Sequence, residues 1–99
     1  MQTNPNETIR AHIWVKGRVQ AVGFRAHVEY HALQIGVWGW VRNIGRDTVE
    51  TVAEGTREQI DQFIEIVKAG SRTSRVDEMQ VEYEPTTGHL NGFSVKHSV

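Results

Sequence analysis

Two segments with apolar residues at helical spacing, separated by alternating segments, constrain the fold of this chain most strongly. Residues three or four positions apart fall on one face of an α-helix, so each segment predicts a helix with one buried side. The residues of the two apolar faces are Phe24, Val28, Ala32 and Ile35, and then Ile60, Phe63, Ile64 and Val67. Both faces need an apolar surface elsewhere in the chain to cover them.

A predicted sheet supplies that surface, because the segments around the helices alternate apolar and polar residues. The predicted strands cover residues 9–16, 37–43, 49–54 and 76–84, and a short one covers 93–97. Gly36 and Gly70 end the helices, and Thr56 with Gln59 forms a capping-box sequence before the second helix. This order is typical of the α+β ferredoxin-like βαββαβ sandwich, with two helices on one face of an antiparallel sheet. The short C-terminal strand is an addition to that arrangement.

The length of 99 residues corresponds to one domain. We expect residues 1–8 to form a flexible N-terminal tail and residues 9–99 to form the single domain. Residues 1–7 are polar and lack the apolar stretch of a signal peptide. No apolar run approaches membrane-spanning length. The default expectation is therefore a cytoplasmic protein that does not bind membranes.

Composition excludes several classes of function. The chain has 11 Lys and Arg against 12 Asp and Glu, a net charge of −1. This balance argues against sequence-independent nucleic-acid binding, which needs a basic surplus. There is no cysteine, which excludes disulfides, thiolate nucleophiles and cysteine-based zinc sites.

A glycine-bounded loop, residues 17–25 (GRVQAVGFR), joins the first predicted strand to the first helix. The start of a helix presents unpaired N–H groups and the positive end of the helix dipole. Arg25 adds a planar fork of donors that suits phosphate oxygens. The loop matches neither the Walker A pattern nor the dinucleotide-binding pattern. Its composition alone leaves two interpretations open, an anion site and a plain tight connection.

Together with residues 39–43 (GWVRN), this loop resembles the two signature motifs of acylphosphatases. The resemblance extends over about residues 9–97 and includes the order of strands and helices. One residue departs from the pattern, because Ala21 stands where the family usually has glycine. Alanine has a steric cost if that residue needs a positive φ, and its methyl group would lie near the bound phosphate.

The resemblance implies hydrolysis of acyl phosphates to a carboxylate and inorganic phosphate, with no metal or other cofactor. Arg25 would bridge two phosphate oxygens, and Asn43 would orient the attacking water. The phosphate-binding loop would supply the backbone amides of Arg18, Val19, Gln20, Ala21, Val22, Gly23 and Phe24. The expected partners are an acyl phosphate substrate and inorganic phosphate, which would be both product and inhibitor.

An alternative function is a weakly catalytic or non-catalytic domain of the same fold that binds phosphate or a carbamoyl-phosphate-like ligand. Such domains occur inside larger maturation proteins of the family. The intact pair of Arg25 and Asn43 favours the enzyme. His27 and His31 have the i, i+4 spacing of metal ligands, but no third ligand is evident, so no metal site is predicted.

The alternation of the strands also predicts that three tryptophans share one face of the sheet. Trp14, Trp38 and Trp40 alternate with apolar residues expected to face the helices. We expect the indoles to pack on one another and on the stems of Lys16 and Arg42. A competing interpretation is an exposed patch that recruits a partner or a second copy. The first interpretation predicts a monomer.

Overall fold

The computed structural model of the protein describes residues 7–99. In chain order the elements are β1 Thr8–Arg18, α1 Phe24–Ile35, β2 Trp38–Ile44, β3 Thr48–Thr56, α2 Arg57–Ala69, β4 Arg75–Glu84 and β5 Phe93–Val95. This is the predicted order, with strand bounds that differ by one or two residues from the prediction. Thr8 pairs with Thr56, so the sheet begins within the segment predicted as a tail. Residues 1–6 of that predicted tail lie outside the described part of the chain.

The five strands form one sheet in the order β4-β1-β3-β2-β5. The first four pair antiparallel, as predicted, whereas β5 runs parallel to β2. The sheet is therefore mixed. The reason lies in the connection over residues 85–92, which carries the chain from one edge of the sheet to the other. Because β4 is antiparallel to β2, a strand that returns from the same end must be parallel to β2.

The two helices cover one face of this sheet, as the ferredoxin-like arrangement requires. Fully buried residues of β1, α1 and α2 meet in a single core, and burial of each large side chain contributes about 1.5–3 kcal/mol. They include Ala11, Ile13, Val15, Phe24, Val28, Ala32, Ile60, Phe63 and Val67. Ile35 and Ile64, also predicted for the helical faces, are partly buried at the margin of this core. Within residues 7–99 no helix has the length and apolar character needed to cross a membrane.

The predicted helix ends are confirmed. Thr56 Oγ1 accepts a hydrogen bond from the N–H of Gln59, and Gln59 Oε1 accepts one from the N–H of Thr56, which completes a capping box. Gln59 Nε2 also donates to the Ile35 carbonyl and so ties the start of α2 to the end of α1. Gly36 ends α1 with a φ of 93°, a left-handed conformation that glycine adopts without a steric penalty.

The three tryptophans lie on the face that the helices leave open, as their alternation predicts. None belongs to the buried core; Trp14 and Trp40 are half-buried, and Trp38 is 51% exposed. The Arg42 guanidinium lies 5.0 Å from the centre of the Trp40 ring, and Lys96 Nζ lies 4.4 Å from it. Basic side chains therefore shield part of the open face, as predicted for Arg42.

A network of charged side chains occupies the open face beside these rings. His12 stacks on Trp14 with ring centres 3.9 Å apart, and its two nitrogens lie 2.6 Å from Glu50 and 2.8 Å from Glu84. Hydrogen bonds from His12 and then from Arg10 hold the pKa of Glu84 below its usual value. Sequence reasoning gave His12 no role, because the carboxylates that meet it come from two other strands.

Candidate active site

The loop between β1 and α1 has an unusual backbone. Ala21 has a φ of 59° and Gly23 a φ of 76°, so two residues separated by one adopt the left-handed conformation. Ala21 is the one non-glycine residue with a positive φ in the part of the chain described. Left-handed residues that alternate with others turn successive N–H groups toward a common point and form an anion-binding concavity.

In the second part of this loop, from Gln20 onward, the N–H groups lack hydrogen-bond acceptors among the described residues. From Gln20 to Arg25, no backbone N–H is paired with another group of residues 7–99. Helix α1 begins here without a side-chain cap and with no acidic residue in its first turn. Its positive dipole end is therefore not neutralised by a carboxylate. Unpaired donors and a positive potential at one place make this junction suited to an anion.

Arg25 lies in the first turn of α1 and is half-buried. It forms no ion pair with any carboxylate of residues 7–99. With Gly23 and Val95 it lines a cavity of about 220 Å³, which Glu29 also borders. Because the guanidinium has no partner among residues 7–99, it can offer its fork of N–H groups to a ligand in this cavity.

Asn43 lies near the end of β2, opposite Val49 in the hairpin, and is 9% exposed. Its Oδ1 is buried and has no hydrogen-bond partner in the described protein. A buried polar atom without a partner costs about 1–3 kcal/mol. The Asn43 carbonyl, in contrast, accepts from the N–H of Val99 at 3.0 Å. The backbone of Asn43 is thus fixed while its side-chain oxygen lacks a donor.

The other predicted loop residues have different structural roles. Val19 and Phe24 are each 1% exposed and anchor the two ends of the loop in the core. Arg18 is exposed and is the last residue of β1, where its backbone lies opposite Arg75 of β4. It therefore borders the loop. Val22 is half-buried, and its carbonyl accepts from Thr73 Oγ1 at 2.8 Å.

Gln20 has a second role that sequence reasoning missed, since only its backbone amide was expected to act. Its side-chain Nε2 donates to carbonyl oxygens of Ile44, Gly45 and Thr48, in and beside the turn between β2 and β3. These acceptors are backbone atoms, so no residue type in the sequence marks them. The repeated contact with one turn connects the loop to the strand that carries Asn43.

A larger polar cleft of about 450 Å³ lies beside Arg18. Its basic residues are largely paired: Lys16 lies 4.0 Å from Asp47, and Arg75 donates to Asp77 at 2.9 Å. Lys16 was predicted to shield the tryptophans and has Asp47 as its charged partner. Because its charges are compensated, the cleft is less suited to an anion than the loop.

His27 and His31 do lie together on α1, with ring centres 4.6 Å apart. Burial, followed by the charge of His31, lowers the pKa of His27. Among residues 7–99 no group of three or more histidine, aspartate or glutamate side chains is arranged to hold a metal ion. A zinc site needs three or four ligands, and the described residues offer no third one beside this pair.

The chain is similar to known acylphosphatases in sequence and in structure. A family model described as Acylphosphatase matches residues 11–95. An acylphosphatase from a Nostoc species is 43% identical over 97 residues, which cover 98% of this chain and 95% of that protein. The crystal structure of acylphosphatase from Bacillus subtilis has a TM-score of 0.85 and 36% identity, and the match covers 89% of this chain and 98% of that chain.

A domain of this kind also occurs within a larger protein. The crystal structure of HypF from T. kodakarensis matches with a TM-score of 0.77 and 37% identity, over 89% of this chain but 12% of HypF. The Nostoc and Bacillus proteins, in contrast, match over nearly their whole length. From residue 11 to residue 95, through both motifs and the strands that carry them, this chain belongs to the acylphosphatase family.

Proposed function

We propose that this chain hydrolyses acyl phosphates to a carboxylate and inorganic phosphate at a site formed by the β1–α1 loop and Asn43. The observation that carries the proposal is the run of unpaired N–H groups from Gln20 to Arg25, beside an arginine without an ion pair. Relatives named acylphosphatase support it, because this chain matches them over nearly their whole length. They favour the enzyme over a purely binding domain.

Phosphate binding is the first step. The loop amides donate to the phosphate oxygens, and the Arg25 guanidinium bridges two of them. In phosphoryl transfer the protein contributes mainly position and electrostatic stabilisation. Donors that are already fixed need no reorganisation when charge builds up on the oxygens. Arg25 and the start of α1 therefore stabilise the transition state more than the bound substrate.

Attack by water is the second step. Asn43 Oδ1 accepts a hydrogen bond from a water molecule and holds the water's oxygen toward phosphorus. A bond forms between that oxygen and phosphorus, and the bond from phosphorus to the acyl oxygen breaks. The carboxylate leaves with the electron pair of that bond.

The proton of the attacking water passes to a phosphate oxygen of the substrate. Neither motif contains an acid or base side chain. Glu29 borders the cavity beside Arg25, but it lies on α1, whereas Asn43, which orients the water in this proposal, lies on β2. The substrate itself is therefore the proton acceptor in this proposal.

The proposal extends to the conditions of activity. Inorganic phosphate, which fits the same donors as the substrate, is a competitive inhibitor. The reaction needs no added metal. No proposed step needs a residue from a second copy, so the proposal includes a protein that acts as a monomer, located in the cytoplasm.

A benzoyl phosphate assay with and without EDTA, on the wild type and Arg25 variants, tests phosphate binding. We expect turnover that EDTA leaves unchanged. Arg25→Ala should lose at least about 10³-fold in kcat/KM, as removal of an arginine from a phosphoryl-transfer site does. Arg25→Lys should recover little, because a point charge does not reproduce the bidentate fork.

Glu29→Gln is the matched control, because Glu29 borders the same cavity. It should keep kcat within about threefold, since no step uses its carboxylate. A large loss in this variant would identify Glu29 as a base and contradict the proton route. Near wild-type turnover in Arg25→Lys would contradict the role of Arg25. Phosphate binding without any turnover would support the alternative, a binding domain.

Asn43→Ala should lose turnover and keep affinity. A group that orients the attacking water acts in the transition state and hardly in the ground state. We expect kcat to fall about 10²–10³-fold, the effect of removing one fixed polar group from a reacting centre, with KM changed less than about threefold. Steady-state kinetics with benzoyl phosphate measure both values. A normal kcat, or a change confined to KM, would rule out the water-orienting role.

Ala21→Gly should stabilise the protein, because alanine occupies a left-handed conformation with a φ of 59°. That conformation costs a non-glycine residue about 1–2 kcal/mol. Glycine removes this cost, but it also makes the unfolded chain more flexible, which offsets part of the gain in stability. We expect the free energy of unfolding to rise by about 1 kcal/mol and kcat to be equal or higher. Urea unfolding and the same assay check both. A large loss of activity would show that the loop depends on the alanine methyl group.

A further inference from the structure

The side chain of Gln20 connects the two halves of the site. Gln20 belongs to the phosphate-binding loop, but its side chain leaves the loop and reaches the turn between β2 and β3. There Nε2 donates to the carbonyls of Thr48 at 2.8 Å and of Ile44 and Gly45 at 3.2 Å each. An amide NH₂ has two N–H groups, so three acceptors around it mean that at least one N–H is shared.

The turn that Gln20 holds begins directly after Asn43. Ile44 pairs with Thr48 at the base of the hairpin, and Asn43 pairs with Val49 one step inside it. A displacement of this turn therefore moves the end of β2 and with it the Asn43 side chain. The attacking water has to lie within a few tenths of an ångström of its line to phosphorus, and a misplacement of about 1 Å can cost 10²-fold in rate.

The backbone hydrogen bonds of the turn reach other residues than the Gln20 side chain does. The N–H of Gly17 donates to the Asp47 carbonyl, and the N–H of Gly45 donates to the Val99 carbonyl. Gly17 is the first residue of the loop and still belongs to β1, and Val99 lies beyond β5, so neither bond contacts the residues from Gln20 to Arg25. These bonds do hold the turn in the fold when the Gln20 side chain is changed.

The loop has a second side-chain tether that leads away from Asn43. Thr73 Oγ1, in the connection between α2 and β4, donates to the Val22 carbonyl at 2.8 Å. Thr73 is exposed, and its bond does not reach β2. It provides a matched comparison, since it is also one side-chain hydrogen bond between the loop and another segment.

We propose that Gln20 is a positioning residue, whose side-chain amide sets the distance between the phosphate-binding loop and Asn43. The inference rests on the proposed roles of the loop and of Asn43 and adds to them the contact that relates one to the other. Gln20 donates its side-chain N–H groups to the turn, so it does not touch the substrate through that amide. Its effect on the reaction passes through Asn43.

The test is a double-mutant cycle with Gln20→Met and Asn43→Ala, in which methionine keeps the length of the side chain and removes its donors. The readouts are kcat and KM for benzoyl phosphate, the inhibition constant of inorganic phosphate and the thermal unfolding midpoint. In the wild-type background, Gln20→Met should lower kcat about 10–100-fold. The phosphate inhibition constant should stay within about threefold, because the loop amides and Arg25 are unchanged. In the Asn43→Ala background, Gln20→Met should have almost no further effect on kcat, because residues that act as a unit are not additive.

Thr73→Val is the control and should keep kcat within about threefold, although it also removes a tether of the loop. If Gln20→Met does not fold, Gln20→Ala replaces it, since alanine also removes the donors and adds no charge beside the phosphate-binding loop. The same losses are expected for that variant.

Three outcomes would overturn the positioning role. They are a kcat of Gln20→Met within threefold of the wild type, an equal loss of kcat and of phosphate affinity, and full additivity with Asn43→Ala. Failure of the proposed function has a different signature, because Asn43→Ala alone would then keep its turnover. A structural role for Gln20 would lower the unfolding midpoint and leave kcat unchanged.

Discussion

The proposed site depends on one electrostatic condition, a run of backbone N–H groups at the start of α1 that residues 7–99 leave unpaired. From Gln20 to Arg25 these donors find no acceptor in the described part of the chain, and the helix start has neither a side-chain cap nor an acidic residue. Unpaired donors at a helix start are normally satisfied by a capping side chain or by water. Here Ala21 and Gly23 have the left-handed conformation that is typical of anion-binding concavities, and Arg25, which has no ion pair within residues 7–99, lies beside them. In the proposed function, these groups donate to the oxygens of a bound phosphate.

Keeping such a loop open requires that its ends and sides are held by something other than its own amides. The side chains of Val19 and Phe24 anchor its ends in the core. Gln20 ties it to the β2–β3 turn and Thr73 to the α2–β4 connection, in both cases through bonds that leave the loop N–H groups free. The fold thus supports the site by hydrophobic anchoring below and side-chain hydrogen bonds at the rim. These contacts hold the loop in a conformation in which Ala21 has a positive φ.

The sequence predicted those parts of the structure that local patterns encode. Helical spacing identified the buried faces around Phe24 and Phe63, and the Thr56 and Gln59 pair marked the start of α2 correctly. The direction of β5 was not predictable, because it depends on which edge of the sheet the chain reaches after residue 84. The reach of the Gln20 side chain was equally hidden, since its acceptors are carbonyl oxygens 24–28 residues away. Every residue type has a backbone carbonyl oxygen, so the pattern of side chains does not predict which ones accept these hydrogen bonds. The motifs did locate Arg25 and Asn43 on the elements that would carry the chemistry, and their roles stay predictions.

The most direct test of this account follows the backbone N–H signals of ¹⁵N-labelled protein during a titration with inorganic phosphate. The account predicts that the largest changes in amide chemical shift occur from Gln20 to Arg25, because phosphate gives these donors their acceptors. The changes should reach half of their maximum at a phosphate concentration equal to the inhibition constant measured in the hydrolysis of benzoyl phosphate. Changes centred instead on the polar cleft of Lys16 and Arg75, with the loop signals unmoved, would contradict the central claim that the unpaired amides of the loop form the phosphate site.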